Sequence, residues 1–380
     1  MTSRERILTV LRGGIPDRVP VVPFIQEEYL AWVYPQRRQF DRVDSVIELA
    51  HELAFDVITK HKRFMTPPFL LRDQLNWRVR RETVREEDLW VTRVEIVTPE
   101  RTLTQESAVP DAGAVTQGLM PATRKHLLES PDDIAAFIRW LPELDGEDAR
   151  VMRETAAGWR RRVGDLGINA PWGWAGVFNT ASDLWGIENV MMAPYIDESL
   201  YQALMETLAQ RMCAYNAPLI EGGADAIGIQ GHIANAGSVS SDYFMSFVYP
   251  YEKRLIDSVR AEGGFTVYHN CGYARAFYPC YRELGMTVWE TVSEPPQGDN
   301  DLGEAKRVMG DRVCLLGNLD QIRFLKTATP AEVDAKAREI VRIGKPGGRY
   351  LFAASDFLEK NTPPENVKAM LSAAAEEGVY

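Results

Sequence analysis

Two rhythms of apolar residues run along this chain. Short continuous apolar runs alternate with longer stretches in which apolar residues recur every three or four positions. The short runs predict strands at Val19–Ile25, Phe55–Ile58, Asp165–Ala170, Ala224–Gln230, Phe265–His269, Thr287–Thr291, Val313–Gly317 and Tyr350–Ala354. The longer stretches predict helices at Arg4–Arg12, Ser45–Leu53, Pro131–Trp140, Glu147–Arg161, Tyr195–Leu219, Ser241–Ala261, Ala274–Leu284, Leu302–Met309, Pro330–Ile343 and Pro364–Glu377. Residues 76–105 break the pattern. There polar and apolar positions alternate strictly, which predicts an antiparallel β-meander with one wet face. Residues 106–130 read as loop.

Apolar strands alternating with amphipathic helices make parallel βαβ units, because parallel strands need a crossover. Two strands before the meander and six after it predict an α/β fold, a (β/α)8 TIM barrel. The expected organisation is one domain over residues 1–380 with residues 76–105 inserted. An open doubly wound sheet is the alternative, and the absence of a GxGxxG after the first strand counts against it.

The charge changes the list of partners. Against 43 basic residues stand 54 acidic ones, a net charge of −11, which disfavours nucleic acid and anionic membrane surfaces. No run of about 18 apolar residues suggests a membrane span, and the start of the chain lacks the apolar core of a signal peptide. The four cysteines form no CxxC pair, so a reducing, cytoplasmic setting is expected.

Chemistry gathers at Phe265-Thr-Val-Tyr-His-Asn-Cys-Gly272. Side chains two apart on a strand point the same way, so His269 and Cys271 project together from a strand end. An imidazole beside a thiol offers two ligands to a borderline-soft metal, zinc above all. In a barrel the active site lies at the C-terminal strand ends. Those ends present Gln26, Glu27 and Glu28, then Trp172 and Trp174, Gln230 and His232, Glu290, Asn318, and finally Ser355 and Asp356. Asp356, Glu290 and Cys314 are candidates for a third ligand, although Cys314 sits at the wrong end of its strand. His232 is a candidate general acid or substrate contact. Trp172, Trp174, Tyr268, Gln230 and Asn318 are candidate substrate contacts, the two tryptophans because positions i and i+2 share a face.

Several segments resemble one family. Arg4-Glu-Arg-Ile-Leu8, Pro16-Asp-Arg-Val-Pro20, Gly223-Ala-Asp225, Tyr268-His-Asn-Cys-Gly272, Gly317-Asn-Leu-Asp320 and Thr362-Pro-Pro-Glu-Asn366 are similar to the uroporphyrinogen decarboxylase superfamily, nearly end to end. The His-x-Cys-Gly segment resembles its zinc-dependent, corrinoid-linked methyltransferase branch. The decarboxylases carry an arginine-rich segment after the first strand, whereas Pro23-Phe-Ile-Gln-Glu-Glu-Tyr29 has no arginine. The methyltransferases complete their zinc site with a cysteine shortly before the Thr-Pro-x-Glu-Asn segment. Asp356 stands at that position here.

The resemblance implies a corrinoid-dependent methyltransferase that moves a methyl group between a small methylated substrate, or a thiol acceptor, and cobalamin. Zn2+ would be the metal. No cobalamin-binding segment is evident, so the corrinoid would come on a partner protein or free. A homodimer is the oligomer expected. A carboxylate in place of a second thiolate makes zinc a stronger Lewis acid, which favours demethylation of an oxygen or nitrogen compound. Two other readings stand beside this one: a cofactor-free decarboxylase or lyase on the same scaffold, and a non-catalytic small-molecule binder.

Overall fold

The computed structural model describes residues 1–37, 40–110 and 121–380. Its strands are β1 (Val57–Ile58), β2 (Arg78–Glu86), β3 (Leu89–Val97), β4 (Thr102–Val109), β5 (Ala122–Lys125), β6 (Gly167–Ile168), β7 (Ala226–Gln230), β8 (Phe265–His269), β9 (Val288–Glu290), β10 (Cys314–Leu319) and β11 (Tyr350–Ala354). Strands β7 to β11 form one parallel sheet in sequence order, each joined to the next through helical segments. Strands β1 and β6 pair in parallel beside it.

Short backbone links join these pieces. The Val22 N–H donates to the Phe352 carbonyl at 2.8 Å, and the Phe352 N–H donates to the Pro20 carbonyl at 2.9 Å. The Asp56 N–H donates to the Val21 carbonyl at 2.8 Å. On the far side of β6, the Gly228 N–H reaches the Pro171 carbonyl at 2.9 Å. The run expected as a strand at Val19–Ile25 is therefore extended but forms an isolated parallel bridge, between Val21 and Phe352, rather than a ladder. Pro20 and Pro23 lack N–H donors, which limits the ladder they can support.

Strands β2 to β5 form a separate antiparallel sheet. Ile96 and Leu103 lie opposite each other and are buried on one face of it, while Val91 is buried on the other, where Arg93 ties Glu86 and Glu106 together. Of the loop expected over 106–130, residues 111–120 lie outside the described residues; the rest is corrected here, since β4 continues to Val109 and Ala122–Lys125 adds a fourth strand by pairing with it.

Helix boundaries also differ from the periodicity. The pattern predicts one helix after Ala170, yet Val177–Trp185, Ile187–Ile196 and Glu198–Glu221 occupy that stretch. Gly186, at φ 89°, divides the first two, a conformation that glycine adopts without steric cost. The helix expected at Ser241–Ala261 contains a π-helical stretch at Phe244–Val248. Glu27–Val33 is an additional short helix. No helix among the described residues is long and apolar enough to cross a membrane.

Strand parity divides the core. Val22, Ile58, Ile168, Ala170, Ala226, Val267, Val288, Cys314, Leu316, Leu351 and Ala353 form one buried cluster with Ile7, Val10 and Leu11 of the helix Ser3–Leu11. The alternate positions, among them Ile227, Tyr268, Trp289, Leu315 and Phe352, pack against the surrounding helices in a second cluster. The first helix plugs the end where the strands begin, since the Cys314 thiol contacts the Val10 carbonyl at 3.3 Å. That end is also stapled by charge. Arg4 pairs with Asp225 at 2.5 Å, Arg6 with Asp17 and Asp56 at 2.7 Å, and Arg18 with Asp56 at 3.0 Å.

Candidate metal centre

At the other end of the strands the same parity brings polar groups together. Continuing the inner face by two residues leads from Ile58 to Lys60, from Ala170 to Trp172, from Val267 to His269, from Val288 to Glu290 and from Leu316 to Asn318. Apolar residues fill the lower part of the interior and a charged tier lies above them.

His269, Cys271 and Asp356 offer ligand atoms that all lie within 4.8 Å of one another. Imidazole Nε2 of His269 is 3.8 Å from Asp356 Oδ2. Its Nδ1 lies on the other side, 3.4 Å from Glu290 Oε2. Glu290 is 1% exposed and its second oxygen is taken by the Lys60 ammonium in a buried ion pair. Gly272 follows Cys271 with φ 98°, a left-handed turn that carries the chain away just after the thiol.

Burial shapes the protonation of this group. It pushes the Asp356 carboxyl up to about 6, against the hydrogen bond from the Phe357 N–H and the nearby Lys60 charge. It pushes the Cys271 thiol up to about 12, and the Asp356 carboxylate adds to that. It holds His269 down at about 3, with the Lys60 charge acting the same way. Burial also lowers Lys60 to about 7, while the carboxylate of Asp356 opposes the shift.

Two further residues belong to this end. His232 lies with its ring 6.2 Å from that of His269. Asn179 fixes its tautomer: Asn179 Oδ1 accepts from the Ile233 N–H at 3.2 Å, so its amide nitrogen donates to His232 Nδ1 at 3.1 Å. His232 Nε2 therefore carries the hydrogen, and burial holds this imidazole down at about 4. Trp172 stands edge-on to His269 at 5.7 Å, Phe24 does so at 6.4 Å, and Phe357 packs on Phe24 at 6.1 Å. The Trp172 Nε1–H is buried without an acceptor among the described residues.

The remaining sequence candidates scatter. Trp174 packs against Phe69 and Tyr215, at 6.0 and 5.9 Å, rather than beside Trp172. The shared face of i and i+2 holds only while a strand continues, and the chain after β6 makes only an isolated bridge at Trp172. Tyr268 has the opposite parity to His269 and is fully buried against Tyr281 at 5.9 Å. Gln230 is half-buried in register with His269. Asn318 is buried, and its carbonyl accepts from Ser355 Oγ at 3.0 Å. Cys314 lies in the apolar interior near the first helix.

Sequence reasoning passed over Lys60, Asn179 and Phe24. A signal existed for Lys60: the basic run Lys60-His-Lys-Arg63 directly follows a strand. Asn179 sits inside a helix, where nothing in the sequence marks it.

The donor set suits zinc. One imidazole nitrogen, one thiol and one carboxylate are ligands for a tetrahedral borderline ion and leave a fourth position. The Glu290 contact supplies the carboxylate–histidine support typical of such sites.

Residues 115–377, more than half of the chain, match the family described as uroporphyrinogen decarboxylase (URO-D). Over 207 residues the chain is 28% identical to a methylcobamide:CoM methyltransferase, MtaA, of Methanosarcina barkeri, covering 54% of this chain and 57% of that one. It is 22% identical to a methylated-thiol–coenzyme M methyltransferase of Methanosarcina mazei, covering 52% and 51%. It is 25% identical to a uroporphyrinogen decarboxylase of Methylococcus capsulatus, covering 57% and 61%. The chain thus spans little more than half the length of the curated relatives it matches. A solved methyltransferase from Methanosarcina mazei superposes with a TM-score of 0.70 at 20% identity, over 99% of both chains, which speaks to the fold alone.

Proposed function

The chain belongs to the uroporphyrinogen decarboxylase family, and from that premise we propose that it is a zinc-dependent methyltransferase acting with a corrinoid protein. In this reading the parallel strands and the bridged Val19–Ile25 segment make one closed (β/α)8 barrel, and residues 76–105 are an insertion in it. The observation that carries the function is the convergence of His269, Cys271 and Asp356 at the strand ends. Methylcobamide methyltransferases among the relatives support it.

His269 Nε2, Cys271 Sγ and Asp356 would hold the ion. Zinc bound there supplies Lewis acidity to a thiol, or to the heteroatom that carries the methyl group. The residues around it do the rest. Glu290 accepts from His269 Nδ1–H, which keeps the Nε2 lone pair free for ligation. Cys271, held as a thiol by its surroundings, gives up its proton on ligation. His232 presents Nε2–H as a donor to a leaving or attacking heteroatom. Phe24, Trp172 and Phe357 exclude water from one side, which strengthens each electrostatic contact within. Trp172 Nε1–H has a bond to give to a substrate acceptor. With one thiolate and one carboxylate the ligands neutralise a divalent ion, so the site favours demethylation of oxygen or nitrogen compounds over thiol activation.

The test is elemental analysis followed by methyl transfer from a panel of methylated donors to cob(I)alamin, and from methylcobalamin to thiols. One zinc per chain and transfer from at least one donor are expected, both abolished in His269→Ala. Protein that takes up no zinc, or that transfers no methyl group in either direction, overturns the reading. Carbon dioxide release from a carboxylated substrate by zinc-free protein would establish the lyase instead.

A further inference from the structure

Two carboxylates, not one, lie against His269. Asp356 faces its Nε2 and Glu290 faces its Nδ1. A divalent ion between His269 and Cys271 would attract both. If both ligated, the fourth position would be filled and no substrate atom could enter. Something must keep Glu290 away, and the Lys60 ammonium is bound to its Oε1.

Lys60 is an unusual residue to find there. It is 3% exposed, follows the two-residue strand β1, and holds φ at 44°. Its Nζ also sits 4.0 Å from the Phe24 ring centroid, where the ring face favours a cation. A buried lysine is costly unless paired, and its pairing uses one oxygen of Glu290 while His269 uses the other. Glu290 is fully engaged without any metal.

We propose that Lys60 is a positioning residue that tethers Glu290 and thereby keeps the fourth coordination position open to substrate. The inference rests on the zinc site proposed above. Lys60 touches neither the ion nor the substrate in this account; it acts through Glu290. Without its charge, Glu290 would keep its contact with His269 Nδ1 but lose its counter-charge, and the metal would be the cation left to compensate it. The ion would then bind more tightly and be closed to substrate.

The experiment uses the full chain with zinc, then with cobalt(II) as a spectroscopic stand-in. Zinc affinity is measured by chelator competition for wild type, Lys60→Met, Glu290→Gln and the double variant. Lys60→Met is expected to raise affinity by about 10- to 100-fold, the scale on which neighbours of ligands act. The gain should vanish when Lys60→Met is made on top of Glu290→Gln. A small thiol should shift the cobalt absorption bands of wild type but not those of Lys60→Met. A gain of equal size with Glu290 intact and in the Glu290→Gln background would mean simple charge repulsion and would overturn the tether. So would unchanged or weakened binding in Lys60→Met. Should Lys60→Met not fold, Glu290→Gln alone decides. Cobalt bands like those of wild type support the tether, whereas loss of a ligand from the spectrum refutes it. Wild type that binds no metal at all defeats the zinc reading itself, a result distinct from either outcome.

Discussion

Trp172 lies on Gly228. A Cβ built at position 228 would overlap the six-membered ring of the indole, and the two residues are joined by a parallel bridge. Gly228 faces inward between Ala226 and Gln230, so only the missing side chain lets the indole cross the interior toward His269. Gly228→Ala should therefore displace Trp172 while leaving the three candidate ligands in place. We expect methyl transfer to fall at least tenfold, zinc content to stay at one per chain, and stability to drop by about 1–3 kcal/mol, as for other overpacked sites. Activity assay and elemental analysis on one preparation check this.

At the opposite end, Asp56 is completely buried and accepts from Arg6, Arg18 and the Val21 N–H. It ties the first helix and the Val19–Ile25 segment to β1. Removing Asp56 leaves Arg6 with Asp17 alone and takes the carboxylate from Arg18, and breaking a buried pair of this kind costs about 3–5 kcal/mol. Asp56→Ala should lower the unfolding free energy by that amount in urea titration. Zinc affinity of the folded fraction should not change, because the cluster lies at the far end of the strands.

These two relationships show what the sequence could disclose. Parallel strands, helices and the alternation of residues 76–105 were legible because periodicity follows directly from which faces are buried. His269 and Cys271 were legible as neighbours because strand parity is a local rule. Three of the six segments that carry the resemblance contain Arg4, Arg6, Asp17, Arg18 and Asp225, and these turn out to form the charged staple far from the site. Lys60 was not legible as a partner of Glu290, since the two meet only across the interior, 230 positions apart in the chain. Trp174 was misplaced because parity was carried past the end of a strand.

The resemblance implies a thiolate at the position of Asp356, whose Oδ2 lies 3.8 Å from His269 Nε2. Asp356→Ala should weaken zinc binding by about 10- to 100-fold or more, since even neighbours of ligands cost that much. Asp356→Cys should tighten it while slowing transfer from ether or amine donors, because a second thiolate reduces the Lewis acidity. Proton release adds a pH signature. Cys271, raised to about 12, loses a proton on binding throughout the neutral range, so affinity should fall about tenfold per pH unit downward. Below about 6 Asp356 is protonated as well and the fall should steepen, a break that Asp356→Cys removes. Chelator competition between pH 5 and 8 measures both.

Glu252 carries a separate pH dependence. It lies on the helix Tyr249–Ala261, is fully buried, and accepts from the Phe178 N–H at 3.2 Å near the start of the helix Val177–Trp185. Gly176 lets that carboxylate approach, since a Cβ there would come within 2.9 Å of Oε1. The second oxygen has no partner among the described residues, and burial pushes the carboxyl up to about 7 from an ordinary 4.5, against the backbone bonds from Phe178 and Val177. A carboxyl with a raised pKa binds its proton more tightly folded than unfolded. Its contribution to stability is complete below about 4.5 and is lost as the pH rises through 7. Wild type should thus lose on the order of 2 kcal/mol between pH 5 and pH 8 relative to Glu252→Gln. Glutamine keeps an acceptor for Phe178 and cannot ionise, so every other titrating group cancels in the comparison. Urea unfolding of metal-free protein at both pH values gives the difference. Parallel stability curves for the two proteins would show that Glu252 ionises in the fold as readily as in water.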